Sequence, residues 1–251
     1  MTVPMSHTHL IVNADDFGLS AGVNAGVMRA HQEGVLTSAS LMVRWPAARE
    51  AALYGRAAAG LGVGLHLDLG EWTFADGAWR PLYSVVNETD AEAIEREVSR
   101  QLEAFRDLLG HDPTHLDGHQ HVHLEEPARR IVTALGRRLR RPVRHFSPGI
   151  RYVGDFYGQS ATGVPARDAV SADALVGLIG RLPDGIVELA CHPALAPDMD
   201  GMYREERPLE LVSLCHPAVR ETLVARRIEL RSFADVVEEA GRFVIRPSTA
   251  P

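Results

Sequence analysis

The stretch THLIVNADD (8–16) joins an apolar run to two adjacent carboxylates. The run predicts a buried strand, because strands of a parallel sheet are covered on both faces. Ser20 then offers an N-cap for a helix in AGVNAGVMRAHQEG (21–34), and Gly34 offers its stop signal. The chain therefore opens with one strand followed by one helix.

The same alternation continues along the chain. Further strands are predicted in SASLMV (38–43), GVGLHLDL (62–69), THLDG (114–118), VRHFS (143–147), GIVELAC (185–191) and RIELRSF (227–233). Further helices are predicted over 46–60, 89–110, 126–140 and 173–182, the second with a capping box of Thr89 and Glu92. About seven strands in βα order predict an α/β fold, a distorted (β/α) barrel of parallel strands. An open doubly wound sheet is the alternative.

Composition narrows the class of protein. The 251 residues are 45% hydrophobic with a formal net charge of −7, which is typical of a globular protein, and we predict one catalytic domain over 1–251. No basic block indicates a nucleic-acid partner, and no apolar run is long enough to cross a membrane. Two cysteines and the absence of a signal-peptide pattern predict a cytoplasmic protein. A homodimer is left open.

The segment HLDGHQHVH (115–123) concentrates four imidazoles and one carboxylate. All five side chains occupy odd positions, so any extended part of the segment points them to one face. Imidazoles this close repel one another when charged, whereas a bound metal ion keeps them neutral. The segment therefore predicts metal binding more strongly than a polar surface loop.

Three other predicted strands end in groups of matching chemistry. Asp15 and Asp16 follow the first strand, where one carboxylate can bind a cation and the other can transfer a proton. His66 lies in GLHLDL, and His192 follows a buried strand in ELACHPA. Taken singly, the Asp pair could cap the following helix and each histidine could be a core residue. Together at the carboxyl ends of strands, they predict a catalytic metal site with open positions for water.

These motifs carry a family resemblance. VNADDFG (12–18), GLHLDL (64–69), THLDGHQHVH (114–123) and ELACHPA (188–194) resemble the YdjC-like carbohydrate deacetylases, the chito-oligosaccharide deacetylase family. The resemblance implies a distorted barrel related to the polysaccharide deacetylases, one divalent metal ion and hydrolysis of an N-acetyl group on an amino sugar. It implies Asp16, His66 and His119 as metal ligands and Asp15 as general base. Zinc and magnesium both remain candidates, and the ligand set favours zinc or another transition metal.

Amide hydrolysis also needs an acid for the departing amine, and His192 on a different strand is the candidate. Five remaining residues are predicted to orient the ligands or Asp15, or to contact substrate: Arg44, His115, Asp117, His121 and His123. For Arg44, a surface position is the competing interpretation. The region of Arg207 and Glu210 receives no role from the sequence.

Two long stretches, 70–87 and 147–167, are predicted to be irregular and to wall a binding cleft. Their aromatic residues are candidates for stacking on sugar rings: Trp72, Phe74, Trp79, Tyr83, Tyr152, Phe156 and Tyr157. The leading function is therefore a metal-dependent deacetylase of an N-acetylated sugar. A metal-dependent phosphoesterase is the enzymatic alternative, weakened by the lack of a basic phosphate clamp. A non-enzymatic metal-binding or sugar-binding module is the third reading.

Overall fold

A computed structural model describes residues 7–246. The strands are β1 (Thr8–Phe17), β2 (Ser38–Leu41), β3 (Gly62–Leu67), β4 (Gly70–Ala75), β5 (Ala78–Ser84), β6 (Leu116–Gly118), β7 (Ile150–Val153), β8 (Gly185–Cys191), β9 (Glu229–Leu230), β10 (Val236–Glu239) and β11 (Arg242–Ile245). The α-helices are α1 (Ala21–Glu33), α2 (Ala48–Ala57), α3 (Ala91–Leu109), α4 (Ala128–Leu139), α5 (Ala172–Ile179), α6 (Arg207–Leu214) and α7 (Pro217–Arg226). Short 3₁₀ segments lie at His119–Leu124, Arg167–Val170 and Phe233–Asp235, and the first is kinked at Gln120 and His121, which are not helical.

The main sheet has seven parallel strands, of which six follow the order β6-β3-β2-β1-β8-β7. The short β9 pairs with the first part of β1, ahead of the part that pairs with β2. Neighbours follow the cyclic order of a barrel, whereas the strand order of a doubly wound sheet reverses at a switch point. The prediction of a distorted (β/α) barrel of about seven strands is confirmed.

The distortion is a seam between β6 and β7. Within residues 7–246 no ladder joins these two strands; a single parallel bridge pairs Leu116 with Val143, and the Arg144 N–H donates to the Leu116 carbonyl at 3.0 Å. VRHFS (143–147) was predicted as a strand, and that prediction is wrong beyond this one bridge. Pro148 cannot donate to a ladder, and Gly149 turns the chain with φ +99°, so the paired strand begins at Ile150 instead.

Helix boundaries follow from side-chain caps. The Ser20 hydroxyl accepts from the Val23 N–H at 3.1 Å, as its position predicts. For α3 the predicted capping box of Thr89 and Glu92 is wrong, because the Asp90 carboxylate accepts from the Ala93 N–H at 3.0 Å instead. The predicted helices are otherwise present, each within a few residues of its expected bounds.

The two stretches predicted to be irregular contain strands. Residues 70–84 form an antiparallel hairpin of β4 and β5, turning at Asp76 and Gly77, which both have positive φ. An Asp-Gly pair between strand-forming residues is a hairpin signal, so the sequence held the information. Within 147–167, β7 adds an outer strand to the sheet beside β8.

Buried apolar side chains fill the space between the sheet and the helices. Asp15, Asp16 and His66 lie among buried residues of the strands themselves. Within residues 7–246, no helix is both long and apolar enough to cross a membrane.

Candidate active site

A cavity of about 670 Å³ opens at the carboxyl ends of the strands. Its polar wall contains six of the residues singled out in the sequence: Asp15, Asp16, His66, His119, His121 and His192. They come from β1, β3, the turn after β6 and the residue after β8. The expectation that strand ends assemble one site therefore matches where the structure places these side chains.

Asp16, His66 and His119 meet at the floor of the cavity. The Asp16 Oδ1 atom is 2.8 Å from His119 Nδ1 and 3.2 Å from His66 Nε2, and all three side chains are buried. Asp16 has φ 65°, a left-handed conformation that is costly for a residue with a Cβ and is often found at functional sites.

Carboxylates hold protons on both imidazoles of this set. Although burial lowers it, the Asp117 carboxylate raises the pKa of His66 to about 10. Asp16 likewise overcomes burial and raises the pKa of His119 to about 9. Burial alone would raise the pKa of Asp16, but Arg207 and His119 hold it well below its usual value. One carboxylate oxygen facing two imidazole nitrogens is a position where a divalent cation can replace the protons, so this donor set fits a metal ion.

A second set, Asp15 with His66 and Asp117, also places its ligand atoms within 4.8 Å of one another. The oxygens of both carboxylates are engaged elsewhere. Arg144 binds both Asp15 oxygens, and Asp117 contacts His66 at 2.8 Å through Oδ1 and the Ser40 hydroxyl at 2.6 Å through Oδ2. The Asp16 set is the better metal candidate for this reason.

Asp117 and His115 lie behind the metal candidate. Asp117 fixes the ring of His66 through Nδ1 and leaves Nε2 facing Asp16, the arrangement in which a carboxylate orients a metal-binding histidine. His115 is buried, stacks on Phe233 at 3.9 Å between ring centroids, and contacts the Ser40 hydroxyl at 2.9 Å. It therefore reaches the site only through Ser40 and Asp117.

Asp15 is held by a residue that sequence reasoning missed. Arg144 donates two hydrogen bonds to its carboxylate, at 2.6 and 2.7 Å, and its Nε atom donates to Glu188 at 2.8 Å. Burial would raise the pKa of Asp15, but the Arg144 guanidinium brings it below its usual value, so the carboxylate is ionised at neutral pH. An ionised carboxylate fixed at a cavity wall can accept a proton from a nucleophile.

Arg44 does not orient Asp15. Its guanidinium contacts Asp68 at 3.2 Å and Glu97 at 3.3 Å, outside the cavity, and it is more than one-third exposed. The sequence offered two arginines near strand ends, and it contains no signal that separates Arg44 from Arg144.

His192 faces Asp15 from the end of β8, with Nε2 at 3.8 Å from Asp15 Oδ2. Behind it, Glu210 accepts the His192 backbone N–H at 2.5 Å and lies 3.7 Å from the ring Nδ1 atom. Tyr203 donates its hydroxyl to the same carboxylate. Glu210 thus positions His192 by its backbone and ring, a role that the sequence left unassigned.

Arg207 and Glu71 are two further charged residues that line the cavity. Arg207 donates to Asp16 Oδ2 at 2.6 Å, and its NH1 atom has no hydrogen-bond partner in the part of the chain that is described. The Glu71 carboxylate lies 3.5 Å from His119 Nε2. Gly201 leaves the space that Glu71 occupies, because a Cβ there would lie 2.3 Å from its Oε1 atom.

Aromatic side chains form the outer wall. Five of the seven predicted residues line the cavity: Trp72, Trp79, Tyr152, Phe156 and Tyr157. The other two do not, since Phe74 packs edge-on against Trp79 and Tyr83 donates to Asp68 at 3.0 Å. Both stretches predicted as cleft walls, 70–87 and 147–167, therefore contribute to the cavity.

An Asp-His-His site at the carboxyl edge of a parallel barrel, beside an Arg-held aspartate, defines the class of protein as a candidate metal hydrolase. The YdjC-like protein family matches residues 9–225, and the chain belongs to this family. The chain is 36% identical to a carbohydrate deacetylase of Geobacillus stearothermophilus, over 90% of this chain and 97% of the relative.

Two solved structures share the fold. A protein of Enterococcus faecalis V583, provisionally named a cellobiose-phosphate cleavage protein, is 25% identical with a TM-score of 0.73, over 91% of this chain and 98% of the other. A family 4 carbohydrate esterase from Streptomyces lividans, in complex with acetate, is 15% identical with a TM-score of 0.52, over 91% and 92%. The likeness to the S. lividans structure supports the predicted fold and nothing further.

Proposed function

We propose that this protein is a divalent-metal-dependent hydrolase that removes the N-acetyl group from an amino sugar or oligosaccharide. The observation that carries the proposal is the arrangement of Asp15 and His192 at the ends of the neighbouring strands β1 and β8, beside the Asp16, His66 and His119 set. Membership of the YdjC-like family and the deacetylase of G. stearothermophilus support the same reaction.

A divalent cation held by Asp16, His66 and His119 would polarise the acetyl carbonyl and lower the pKa of water. The remaining work falls to the chain's own residues. Asp15 is ionised and fixed by Arg144, and it takes a proton from the water while the water oxygen bonds to the carbonyl carbon. Two nitrogen atoms of cationic Arg144 keep the carboxylate aimed at the cavity in both protonation states.

The second half of the reaction breaks the carbon–nitrogen bond. His192 donates a proton to the departing nitrogen, and acetate and a free amine result. Glu210 accepts the His192 backbone N–H and lies 3.7 Å from its Nδ1 atom, so it positions His192 for this step. The aromatic wall suits a sugar ring, whose C–H faces pack on Trp72 and Tyr157.

The proposal treats 1–251 as one catalytic domain and zinc as the preferred cation, because two of the three ligand atoms are nitrogens. A phosphoesterase remains the second enzymatic candidate, favoured only by the provisional name of the E. faecalis protein. Among residues 7–246, Arg207 is the one arginine that lines the cavity, and it is already paired with Asp16, which leaves little charge for a phosphate. The cytoplasmic location and a homodimer remain sequence-based predictions.

The test is release of acetate from N-acetylglucosamine oligomers by zinc-loaded protein. We expect Asp15→Asn to lower kcat by about 10²–10⁴-fold, since it removes the base, and His119→Ala to abolish turnover. Asp107→Asn, an exposed carboxylate on α3, is the matched control and retains activity. Release of phosphate from sugar phosphates, without acetate release from any acetylated sugar, would instead establish the phosphoesterase. Absence of both activities with a fully bound cation would support the binding module.

A further inference from the structure

Three imidazoles gather on the other side of the same turn. His121 and His123 come from the turn at His119–Leu124, and His145 comes from the seam segment that follows Val143. The ring centroids are 5.2 to 6.0 Å apart. One nitrogen of each ring lies within 4.8 Å of the others, so the three rings form a candidate ligand set for one metal ion.

Several of these nitrogens have no bonding partner. His123 is fully buried, yet neither of its ring nitrogens has a hydrogen-bond partner within residues 7–246. The Nδ1 atom of His121 is likewise buried without a partner, while its Nε2 atom lies 3.4 Å from the Tyr152 hydroxyl. Buried polar groups are nearly always satisfied, so three orphaned nitrogens on two neighbouring rings indicate an absent partner.

The backbone around the cluster is also costly. Gln120, His121 and His145 have φ values of 47°, 57° and 69°, all in the left-handed region that residues with a Cβ rarely adopt. Such conformations persist where the surroundings compensate for them, and they concentrate at functional sites. A ligand that joins the two segments would supply that compensation.

The partner is a cation and not an anion. The neighbouring Arg144 is neutralised by contacts of 2.6 to 2.9 Å with Asp15, Asp117 and Glu188. Burial lowers the pKa of His123 to about 3, so its ring is neutral and offers lone pairs rather than positive charge. Because the set has three nitrogens and no carboxylate, its chemistry suits zinc, nickel or copper and not magnesium.

We propose that His121, His123 and His145 form a second metal site, selective for imidazole-preferring ions and separate from the Asp16 set. The ion takes Nδ1 of His121 and leaves Nε2 for Tyr152, so occupancy fixes one wall of the substrate cavity. It also ties the turn after β6 to the segment at the seam. The proposal does not depend on the deacetylase function, because binding is measured without substrate.

The experiment counts bound metal on metal-free protein incubated with zinc or with magnesium. We expect two zinc ions per chain in the wild type, and one in His145→Gly, which removes an exposed ligand and relieves the left-handed conformation. His111→Ala, an exposed histidine outside the cluster, keeps two. Asp16→Asn loses the other ion and keeps the one at the cluster. With magnesium, no ion binds to the cluster.

One zinc per chain in the wild type, or two retained in His145→Gly, would overturn the proposal. Zinc-edge anomalous scattering from wild-type crystals gives a readout that needs no variant. A peak among the three rings supports the second site, and a peak at Asp16 alone overturns it.

Discussion

The two histidine clusters both take ligands from the stretch 115–123, and they differ in their carboxylates. His66 and His119 face Asp16 and Asp117, which raise the imidazole pKa values to about 10 and 9. Around His121 and His123 burial dominates, and the pKa values are lowered to about 4 and 3. Without a cation, the first cluster is therefore protonated and paired, whereas His121 and His123 of the second are neutral and have three ring nitrogens without a partner within residues 7–246.

Arg144 lies between the clusters, and its replacement is expected to have the largest effect on the protein. In Arg144→Met, the buried carboxylates of Asp15, Asp117 and Glu188 lose their shared partner. We expect the free energy of unfolding to fall by about 3–5 kcal/mol, the usual effect of breaking a buried ion pair. Urea denaturation measures it.

Arg144→Lys keeps the charge but not the paired N–H groups, so its free energy of unfolding should fall less than that of Arg144→Met. Arg96→Met, which removes an exposed pair with Glu92, serves as control and should change stability by less than about 1 kcal/mol. Equal stability of Arg144→Met and the wild type would show that the carboxylates are not ionised together.

The two clusters should also differ in the number of protons that they release when a metal ion binds. A cation at the first cluster must displace protons from His66 and His119, so we expect about two protons released at about pH 7.5 and an affinity that rises with pH until about 10. At the second cluster the imidazoles are already neutral, so we expect almost no release at the same pH. Calorimetry in buffers of different ionisation enthalpy counts the protons.

His145→Gly isolates the first cluster for this measurement, and Asp16→Asn isolates the second. Similar proton counts in the two variants would remove the distinction between the clusters. A pH-independent affinity at the first cluster would do the same.

Glu188 provides the smallest expected effect. Burial raises the pKa of Glu188 to about 7, above its unfolded value, so the folded state binds this proton more tightly. The resulting stability is fully present below the unfolded pKa and is lost as the pH rises through about 7. Glu188→Gln should therefore make Tm depend less on pH between about 5 and 8. The corresponding change in the free energy of unfolding over this range is about 1–2 kcal/mol. A variant whose Tm follows the wild-type curve would contradict this assignment.

The sequence revealed the parts of the site that follow from strand order. Asp15, Asp16, His66 and His192 could be brought together because carboxyl ends of parallel strands share one edge. The position of Arg144 could not be predicted in this way, because Arg144 lies at a seam where the chain pairs through one bridge only. Nothing local distinguishes it from Arg44, whose partners Asp68 and Glu97 are equally remote in sequence.

The hairpin at 70–84 was missed for a different reason. Its residues were assigned to an irregular cleft wall with aromatic side chains for stacking on sugar, although Asp76 and Gly77 carry the local turn signal. The strand at 150–153 has no comparable signal, since its pairing with β8 spans a long stretch of chain. Local patterns therefore predicted helices and strand ends well, and long-range pairing at the barrel edge poorly.

The seam between β6 and β7 changes how this barrel is closed. Elsewhere in the sheet, neighbouring strands are joined by backbone hydrogen bonds that no change of pH can remove. At the seam, Arg144 reaches inward to carboxylates on β6, β1 and β8, so the side chain that aims Asp15 also spans the gap. Closure of the scaffold and the position of the base consequently depend on the same guanidinium group.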